Sequence, residues 1–314
     1  MTTYAVPGKA VYLRDNETGI EAQIGAFDPA LKGPENRMRI CPEGFENLGA
    51  GTLQKCAEAP GEWISIDEIG YLECGCAVYQ AAVRQLMNVK RVIAAVRRQE
   101  LPFLREIMER KDVFAIDLDA PWGNTGCVIM ASGLGKRFGG NKLMADFDGT
   151  PMIGRALSAT EGLFARRVVV TRHRDAAAFC RQAGCDVILH DLPYRSDTVR
   201  LGIQAMRDMD GCLFCPGDQP LLKRETVEAI ALSSVNDRES IWRVCHGEQV
   251  GSPVLFPKWA FEALTSLPEG KGGGYVAAQY PEKVRTIPAR DGFELMDADT
   301  REEFEMLLKA HKNI

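Results

Sequence analysis

The sequence predicts two successive α/β domains, each built on a mostly parallel sheet. The chain has 314 residues, about twice the roughly 150 of a typical domain. Apolar residues make up 46% and charged residues 26% of it, as expected for a globular chain rather than a disordered one. Strand-like and helix-like segments alternate almost throughout, which is the pattern of parallel strands joined by crossover helices.

The first domain is predicted from five alternating segments. They are a strand at Trp63–Ile66, a helix at Ala77–Leu86, a strand at Arg91–Val96, a helix at Leu101–Arg110 and a strand at Val113–Leu118. Turn residues without periodicity then fill Asp119–Gly126, which is typical of a linker. We therefore expect the domain boundary near Trp122, with one domain at residues 1–122 and the other at 123–314.

The second domain repeats the alternation over a longer stretch. Short runs rich in β-branched residues predict its strands, and 3.6-residue apolar spacing predicts its helices. The strands are expected at Gly126–Ala131, Arg167–Thr171, Val187–His190, Cys212–Cys215, Ile241–Cys245 and Pro253–Phe256, and the helices at Pro151–Leu163, Ala176–Ala183, Thr198–Arg207, Thr226–Ser234 and Lys258–Leu267.

Charge and cysteine content exclude several classes of function. The net charge of −5 and the absence of a strongly basic half argue against binding to nucleic acid or to a membrane surface. No apolar run is long enough for a transmembrane helix, and the polar start is unlike a signal peptide. We expect a cytoplasmic protein whose ten cysteines are reduced. Cys212 and Cys215 are interpreted as core thiols, with a metal or redox site as the alternative.

A glycine-rich segment follows the first strand of the second domain. Ala131-Ser-Gly-Leu-Gly-Lys-Arg-Phe-Gly-Gly-Asn-Lys-Leu143 offers small residues whose backbone N–H groups can approach a phosphate closely. Arg137 and Lys142 add two cations that suit a triphosphate. The segment fits neither a Walker A loop nor a Rossmann fingerprint, so it predicts another kind of nucleotide site. The residues expected to contact the nucleotide here are Ala131, Ser132, Gly133, Gly135 and Lys142.

This segment resembles the signature loop of nucleotidyltransferases with a Rossmann-like α/β fold, and within them the molybdenum-cofactor cytidylyltransferases. The resemblance extends from about Thr125 to the C-terminus and includes five further motifs in the family's order. These are Gly149–Met152, Arg195–Gly202, Cys215–Leu221, Gly251–Phe256 and Met296–Glu303. It implies nucleotidyl transfer, in which positioning and charge neutralisation supply the catalysis.

The resemblance also implies roles for individual residues. Arg137 and Lys142 would stabilise the transferred phosphate and the leaving pyrophosphate, and Ser196 and Thr198 would line the base pocket. Asp218 follows a strand at the carboxyl edge of the sheet, where ligands of such sheets bind, and a carboxylate suits Mg²⁺. The second Mg²⁺ ligand is expected to be Asp297 or Asp299. Asp299 also fits a helix N-cap, which makes Asp297 the better metal candidate; for Asp218 the alternative is a turn residue.

The nucleotide and the acceptor are predicted less directly. Cytidylyl enzymes of the family carry Ala-Ala-Gly and guanylyl enzymes Ala-Gly-Gly in the loop, so the side chain of Ser132 favours CTP. Molybdopterin is the implied acceptor, and molybdenum hydroxylase apoenzymes are the implied partners. The family's acceptor-side loop is replaced by Glu269–Tyr275, in which four glycines predict a mobile loop over an anionic acceptor. A sugar phosphate or methylerythritol phosphate acceptor, or a non-catalytic protein that delivers the cofactor, remain alternatives.

No Ser-His-Asp or Cys-His arrangement is visible among the four histidines. His173, His190, His246 and His311 are interpreted as surface or strand-end residues. A terminal phosphate of the acceptor is already an anion, so the predicted reaction requires no general base.

The first domain contains a pair of acidic residues after an apolar run. Asp67 and Glu68, in Asp67-Glu-Ile-Gly-x-x-Glu73, would sit near Mg²⁺ and the attacking water in a P-loop ATPase. This segment, within about Thr2–Leu118, resembles the nucleoside-triphosphatase family first known from thermophiles. No GxxxxGK[ST] motif precedes Asp67, however. We therefore predict an incomplete P-loop NTPase-like α/β domain that lacks Walker A and is not an independent NTPase.

Overall fold

The structure is a computed structural model that describes residues 1–31 and 38–313. The chain divides into two compact units, Met1–Ala115 and Ile116–Ile314. The mixed α/β class with a mostly parallel central sheet is confirmed, whereas the predicted boundary near Trp122 stays a prediction. In the described parts of the chain, no helix is long and apolar enough to span a membrane.

The first unit begins with a four-stranded antiparallel sheet that the sequence did not predict. Its strands lie in chain order and are β1 (Thr2–Val6), β2 (Ala10–Arg14), β3 (Glu21–Phe27) and β4 (Met38–Ile40). Many of their side chains are exposed on both faces, so the apolar alternation that marks a half-buried strand is weak.

The remainder of the first unit is helical apart from two parallel strands. The strands are β5 (Trp63–Ile69) and β6 (Arg91–Val96), and the helices are α1 (Pro42–Gly44), α2 (Ala50–Glu58), α3 (Ala77–Val89) and α4 (Pro102–Met108), with a π-helical turn at Phe45–Gly49 between α1 and α2. The predicted strand at Val113–Leu118 is wrong. Its apolar residues alternate as in a strand, but Leu118 is 88% exposed and residues 113–118 do not form a strand.

The second unit is built on a seven-stranded sheet with the order β13-β11-β12-β10-β7-β8-β9. Its strands are β7 (Thr125–Ala131), β8 (Arg166–Thr171), β9 (Asp186–Leu189), β10 (Gly211–Pro216), β11 (Ile241–His246), β12 (Gln249–Pro257) and β13 (Val284–Pro288). Only β12 runs antiparallel to its neighbours. The six predicted strands are confirmed. The edge strand β13 was missed, because three of its five residues are exposed.

Helices cover both faces of this sheet. They are α5 (Met152–Ala159), α6 (Arg174–Gln182), α7 (Arg195–Ala205), α8 (Arg224–Asn236), α9 (Phe261–Thr265), α10 (Gly273–Gln279) and α11 (Arg301–Lys312). Alternate residues of the strands supply the two cores, with Ile129 and Leu213 in one and Val128 and Phe214 in the other. The five predicted helices are confirmed. Cys212 and Cys215 are buried and unpaired, as predicted for core thiols.

The sheet places two loops side by side. β7 and β10 are parallel neighbours, with Cys215 paired to Ile129 and Pro216 to Met130. The carboxyl ends of parallel strands lie at one edge of a sheet, where open α/β sheets bind ligands. The glycine-rich segment after β7 and the Asp218 segment after β10 therefore emerge next to each other.

Candidate active site

The glycine-rich segment leaves β7 as a tight loop. Gly135 has φ of 58°, and a methyl group added there would lie 2.2 Å from the carbonyl oxygen of Gly140. Only glycine fits this position, because it combines a left-handed backbone with that close approach. The loop closes in a short 3₁₀ turn at Lys142–Met144, where the side chain of Asn141 accepts from the backbone N–H of Leu143.

Two histidines hold the start of this loop. The Nε2 atom of His190, just after β9, lies 2.8 Å from Ser132 Oγ, and Ser132 Oγ donates to the carbonyl of Val170. The Nε2 atom of His173 lies 2.8 Å from the carbonyl oxygen of Gly133. Both histidines follow strand ends, as predicted. Their contacts to the loop were not foreseen, since no local spacing links residues so far apart in the chain.

Lys142 stands between two carboxylates. Its ammonium lies 2.6 Å from Asp218 Oδ2 and 2.6 Å from Asp299 Oδ1, and its side chain is only 6% exposed. Arg137 also hydrogen-bonds to Asp299. Burial lowers the pKa of Lys142, but the charges and hydrogen bonds of the two carboxylates outweigh it and raise the pKa overall. Lys142 is therefore a fixed cation at the edge of the sheet.

Asp299 is held here as an acceptor and not as a helix cap. Hydrogen bonding from Lys142 is the main cause that lowers the pKa of its carboxyl. The N-cap of α11 is Thr300, which forms a reciprocal capping box with Glu303. The expectation that Asp299 caps this helix is wrong, because Thr300 fits the capping box one residue later. Asp299 instead contacts Lys142, and so stays a candidate metal ligand beside Asp297.

Asp297 lies close to the same cluster. Its side chain is exposed by surface area, yet the protein atoms around it exclude enough water to raise the pKa of its carboxyl to about 6. The negative charges of Asp218 and Asp299 add to this increase. The backbone N–H of Ala298 donates to the carbonyl of Asp218, which ties the segment of Asp297 to that after β10.

The donor chemistry of these residues fits a hard divalent cation. Asp218 and Asp299 already share one cation, the Lys142 ammonium. Asp297 adds a third carboxyl group, and the exclusion of water and the negative charges of Asp218 and Asp299 raise its pKa. Within residues 1–31 and 38–313, no cluster of three or more metal-binding side chains is preformed. One or two carboxylates with phosphate oxygens of a substrate are a usual environment for Mg²⁺.

The predicted base-pocket residues lie in the first turns of α7. Ser196 and Thr198 are 1% and 2% exposed, and neither hydroxyl has a hydrogen-bond partner within the described ranges. Buried hydroxyls normally have partners, so these two retain unused hydrogen-bonding capacity.

The acceptor-side segment is partly helical. The predicted loop at Glu269–Tyr275 overlaps α10, which begins at Gly273, so its last residues belong to a helix despite their glycines. Gly272 packs against Arg195, since a methyl group there would lie 2.9 Å from Arg195 Nε. The segment therefore borders the N-terminus of α7.

Asp67 and Glu68 belong to the first unit and have partners there. They lie inside β5 rather than after it. Asp67 Oδ2 accepts from the backbone N–H of Thr3 at 3.0 Å, and Glu68 pairs with Arg97. Both carboxylates are thus already engaged in structural contacts.

Profiles of two protein families match the chain. The profile of the MobA-like NTP transferase domain matches residues 127–284, and that of the NTPase family matches residues 10–121. Both resemblances expected from the sequence are thereby confirmed.

Individual proteins agree with the first profile. The chain is 24% identical over 193 residues to the probable molybdenum cofactor guanylyltransferase of Aquifex aeolicus, covering 58% of this chain and 89% of that protein. It is 32% identical over 139 residues to 3-deoxy-manno-octulosonate cytidylyltransferase of Alkalilimnicola ehrlichii, covering 40% of this chain and 52% of that protein.

Solved structures share the fold. Rv0371c from Mycobacterium tuberculosis aligns with a TM-score of 0.52 at 23% identity, over 60% of this chain and 98% of that one. A nucleotidyl transferase from Methanothermobacter thermautotroptrophicus aligns with a TM-score of 0.53 at 19% identity, over 60% and 98%. With one profile spanning just over half of its residues, the chain belongs to the MobA-like NTP transferase family and is a nucleotidyltransferase.

Proposed function

We propose that this nucleotidyltransferase transfers CMP from CTP to molybdopterin in a Mg²⁺-dependent reaction that releases pyrophosphate. The observation that supports it most is the cluster of Lys142, Asp218, Asp299 and Arg137. It joins the glycine-rich loop to two acidic segments at the carboxyl edge of the sheet, and so combines groups for phosphates with groups for a metal.

The reaction needs little covalent chemistry from the protein. An oxygen of the acceptor phosphate attacks the α-phosphorus of the triphosphate, the bond from that phosphorus to the bridging oxygen breaks, and pyrophosphate leaves. Lys142 and Arg137 are placed to neutralise charge on the α-phosphate and on the leaving group. Such fixed charges stabilise a transition state because they need no reorientation during the reaction.

Asp218, with Asp297 or Asp299, would hold the metal ion. The bound ion would supply positive charge that offsets the negative charge of the phosphate groups. Asp218 is the proposed metal ligand in both alternatives, because it lies in the turn after β10 and already contacts a cation. Lys142 contacts both Asp218 and Asp299, and so holds the two carboxylates close together, ready for a metal-bound nucleotide.

CTP is the proposed nucleotide for two reasons. The middle position of the loop is Ser132, whose side chain is fixed by Val170 and His190 and so occupies space that a larger base would need. The unpartnered hydroxyls of Ser196 and Thr198 add hydrogen-bonding capacity in the predicted base pocket. The proposal places the reaction in the cytoplasm, in keeping with ten unpaired cysteines, with molybdenum hydroxylase apoenzymes as recipients of the product.

A sugar-phosphate or sugar-acid acceptor is the second candidate. It is favoured by the identity of 32% to a cytidylyltransferase named for 3-deoxy-manno-octulosonate and by the departure at Glu269–Tyr275. Methylerythritol phosphate belongs to the same group of acceptors.

Pyrophosphate release with a panel of nucleotides and acceptors tests the proposal. CTP, GTP, ATP and UTP would each be combined with Mg²⁺ and with molybdopterin, methylerythritol phosphate or 3-deoxy-manno-octulosonate. We expect turnover with CTP and molybdopterin. Turnover with one of the other acceptors, and none with molybdopterin, would identify that other acceptor as the substrate. Tight pterin binding that Asp218→Ala leaves unchanged, without pyrophosphate release, would instead indicate a cofactor-delivery protein.

A further inference from the structure

Arg243 is a partly buried cation without a counter-charge. It lies in β11, and its Nε atom is shielded from solvent and has no hydrogen-bond partner. Across the described residues, no ion pair to this guanidinium is present. Burial lowers its pKa, although an arginine side chain stays charged in proteins. Arg243 therefore differs from Lys142, whose charge is matched by two carboxylates.

The position of Arg243 follows from strand register. Ile241 of β11 pairs with Val284 of β13, and both belong to the core that α9 and α10 cover. Because side chains alternate along a strand, Arg243 and its partner Thr286 point to this same face. Thr286 is exposed, so solvent reaches the face beside the guanidinium.

An unpaired and partly buried guanidinium is costly. The charge loses hydration without gaining a partner, and removing such a charge often stabilises a protein. A planar guanidinium fork matches the oxygens of a carboxylate or a phosphate, so an anion from outside the chain would supply the missing partner.

We propose that Arg243 and the hydroxyl of Thr286 bind an oxyanion, a phosphate ester or carboxylate at the far end of the acceptor. The assignment to the acceptor rests on the proposed function, whereas the oxyanion site itself does not. Val254 pairs with both Arg243 and Phe214, and Asp218 lies four residues beyond Phe214. Pro216, the last residue of β10, is therefore about 7 Å from Arg243 along the strands and about 10 Å across them, and Asp218 follows in the turn beyond it. The acceptor would be an extended molecule with an anionic group at each end.

Oxyanion titrations followed by thermal unfolding test the site. Sodium phosphate and sodium acetate would be added at constant ionic strength to a protein carrying Arg137→Met, which removes the exposed loop cation as a competing phosphate site. We expect a saturable rise in melting temperature, since a ligand that binds the folded state stabilises it. A rise with phosphate but not with acetate would indicate that the site binds a phosphate ester. A rise with acetate would indicate that it binds a carboxylate. No saturable response to either overturns the proposal.

Substitution of Arg243 adds a second measurement. In the same background, Arg243→Met should melt no lower than its parent without ligand and should lose the oxyanion response. The control is Arg285→Met on the neighbouring strand, where Arg285 is exposed, and it should keep the full response. If Arg243→Met keeps the response, the proposal is wrong. Should Arg243→Met not fold, Arg243→Lys, which retains the charge without the fork, should weaken binding, and unchanged binding would contradict the site.

Steady-state kinetics connect the site to the reaction. In the otherwise native chain, Arg243→Met should raise KM for the acceptor about tenfold or more and leave KM for CTP unchanged. An unchanged KM for the acceptor refutes the assignment to the acceptor. Failure of the proposed function would give a different result. The native chain would show no turnover with any acceptor, while oxyanions would still raise the melting temperature.

Discussion

At the scale of single residues, Lys142 is the centre of the candidate active site. It is nearly buried and contacts Asp218 and Asp299 at equal distances. Without it, the two carboxylates would face each other with Arg137 as the remaining cation. Lys142 therefore holds the two acidic segments together, and its proposed second role is to present positive charge to the phosphates.

Replacing Lys142 by methionine should affect both stability and activity. We expect a loss of about 1–3 kcal/mol in the free energy of unfolding, because two hydrogen bonds to charged groups disappear. We expect kcat/KM for the nucleotide to fall about 100-fold or more. Denaturant unfolding and pyrophosphate release measure the two effects. The matched control is Lys136→Met, since Lys136 is an exposed lysine in the same loop; it should change neither the free energy of unfolding nor kcat/KM. Equal kcat/KM values for the two variants would show that Lys142 points away from the nucleotide.

Ser132 should influence the choice of nucleotide. Ser132→Gly creates the Ala-Gly-Gly loop of guanylyl enzymes and removes the hydroxyl that His190 and Val170 hold. We expect the ratio of kcat/KM for CTP over GTP to fall by about tenfold, a size typical for the gain of space in a pocket. Competition between the two nucleotides gives this ratio. A ratio equal to that of the native chain would mean that the loop does not select the base.

At the scale of elements, the glycine-rich loop depends on one backbone position. Gly135→Ala would force a left-handed residue against the carbonyl of Gly140, so the loop must shift. We expect KM for the nucleotide to rise about tenfold, because a displacement near 1 Å in a site is costly. Gly140→Ala, where a methyl group meets open space, is the control. Equal kinetics for the two alanine variants would show that the loop tolerates the shift.

Elements with a strong apolar period were predictable, and weakly patterned ones were not. β7 and β10 are almost fully buried, so their apolar runs were visible in the sequence. β1 and β13 each expose three of their five residues, and α10 begins with two glycines, which disfavour a helix. Physical pairing with neighbours, rather than local preference, determines these elements.

The candidate site was predictable where a sequence motif suggests the chemistry. Arg137, Lys142 and Asp218 were identified from local residue order, and the structure brings Lys142 and Asp218 into contact. Asp299 was interpreted as a cap, because a carboxylate next to a helix start suits both roles. Its partner Lys142 is 157 positions away, a separation that local spacing does not reveal. His190 gave no signal for the same reason.

At the scale of the whole molecule, the candidate active-site residues Arg137, Lys142, Asp218, Asp297 and Asp299 all belong to the unit Ile116–Ile314. The unit Met1–Ala115 contains the acidic pair of the NTPase-like segment, but Asp67 and Glu68 are engaged by Thr3 and Arg97. A carboxylate already paired with an arginine is poorly suited to orient a water molecule. The first unit is therefore proposed to lack hydrolytic activity of its own.

The chain should accordingly release no phosphate from nucleoside triphosphates in the absence of an acceptor. Glu68→Gln should leave pyrophosphate release with CTP and acceptor unchanged within about twofold, since surface substitutions away from a site have small effects. A phosphate-release assay beside the pyrophosphate assay measures both. Steady phosphate release that Glu68→Gln abolishes would show that the first unit is an active NTPase.

The most direct test of the account compares the native chain with Asp218→Asn in pyrophosphate release from CTP and molybdopterin. Asparagine keeps the shape and an acceptor for Lys142 but removes the negative charge proposed to hold Mg²⁺. We expect the native chain to release pyrophosphate in an amount equal to the dinucleotide product. For Asp218→Asn we expect a rate lower by about 100-fold or more and a melting temperature that falls only slightly, because Asp299 still pairs with Lys142. Native-like turnover by a folded Asp218→Asn would contradict the account.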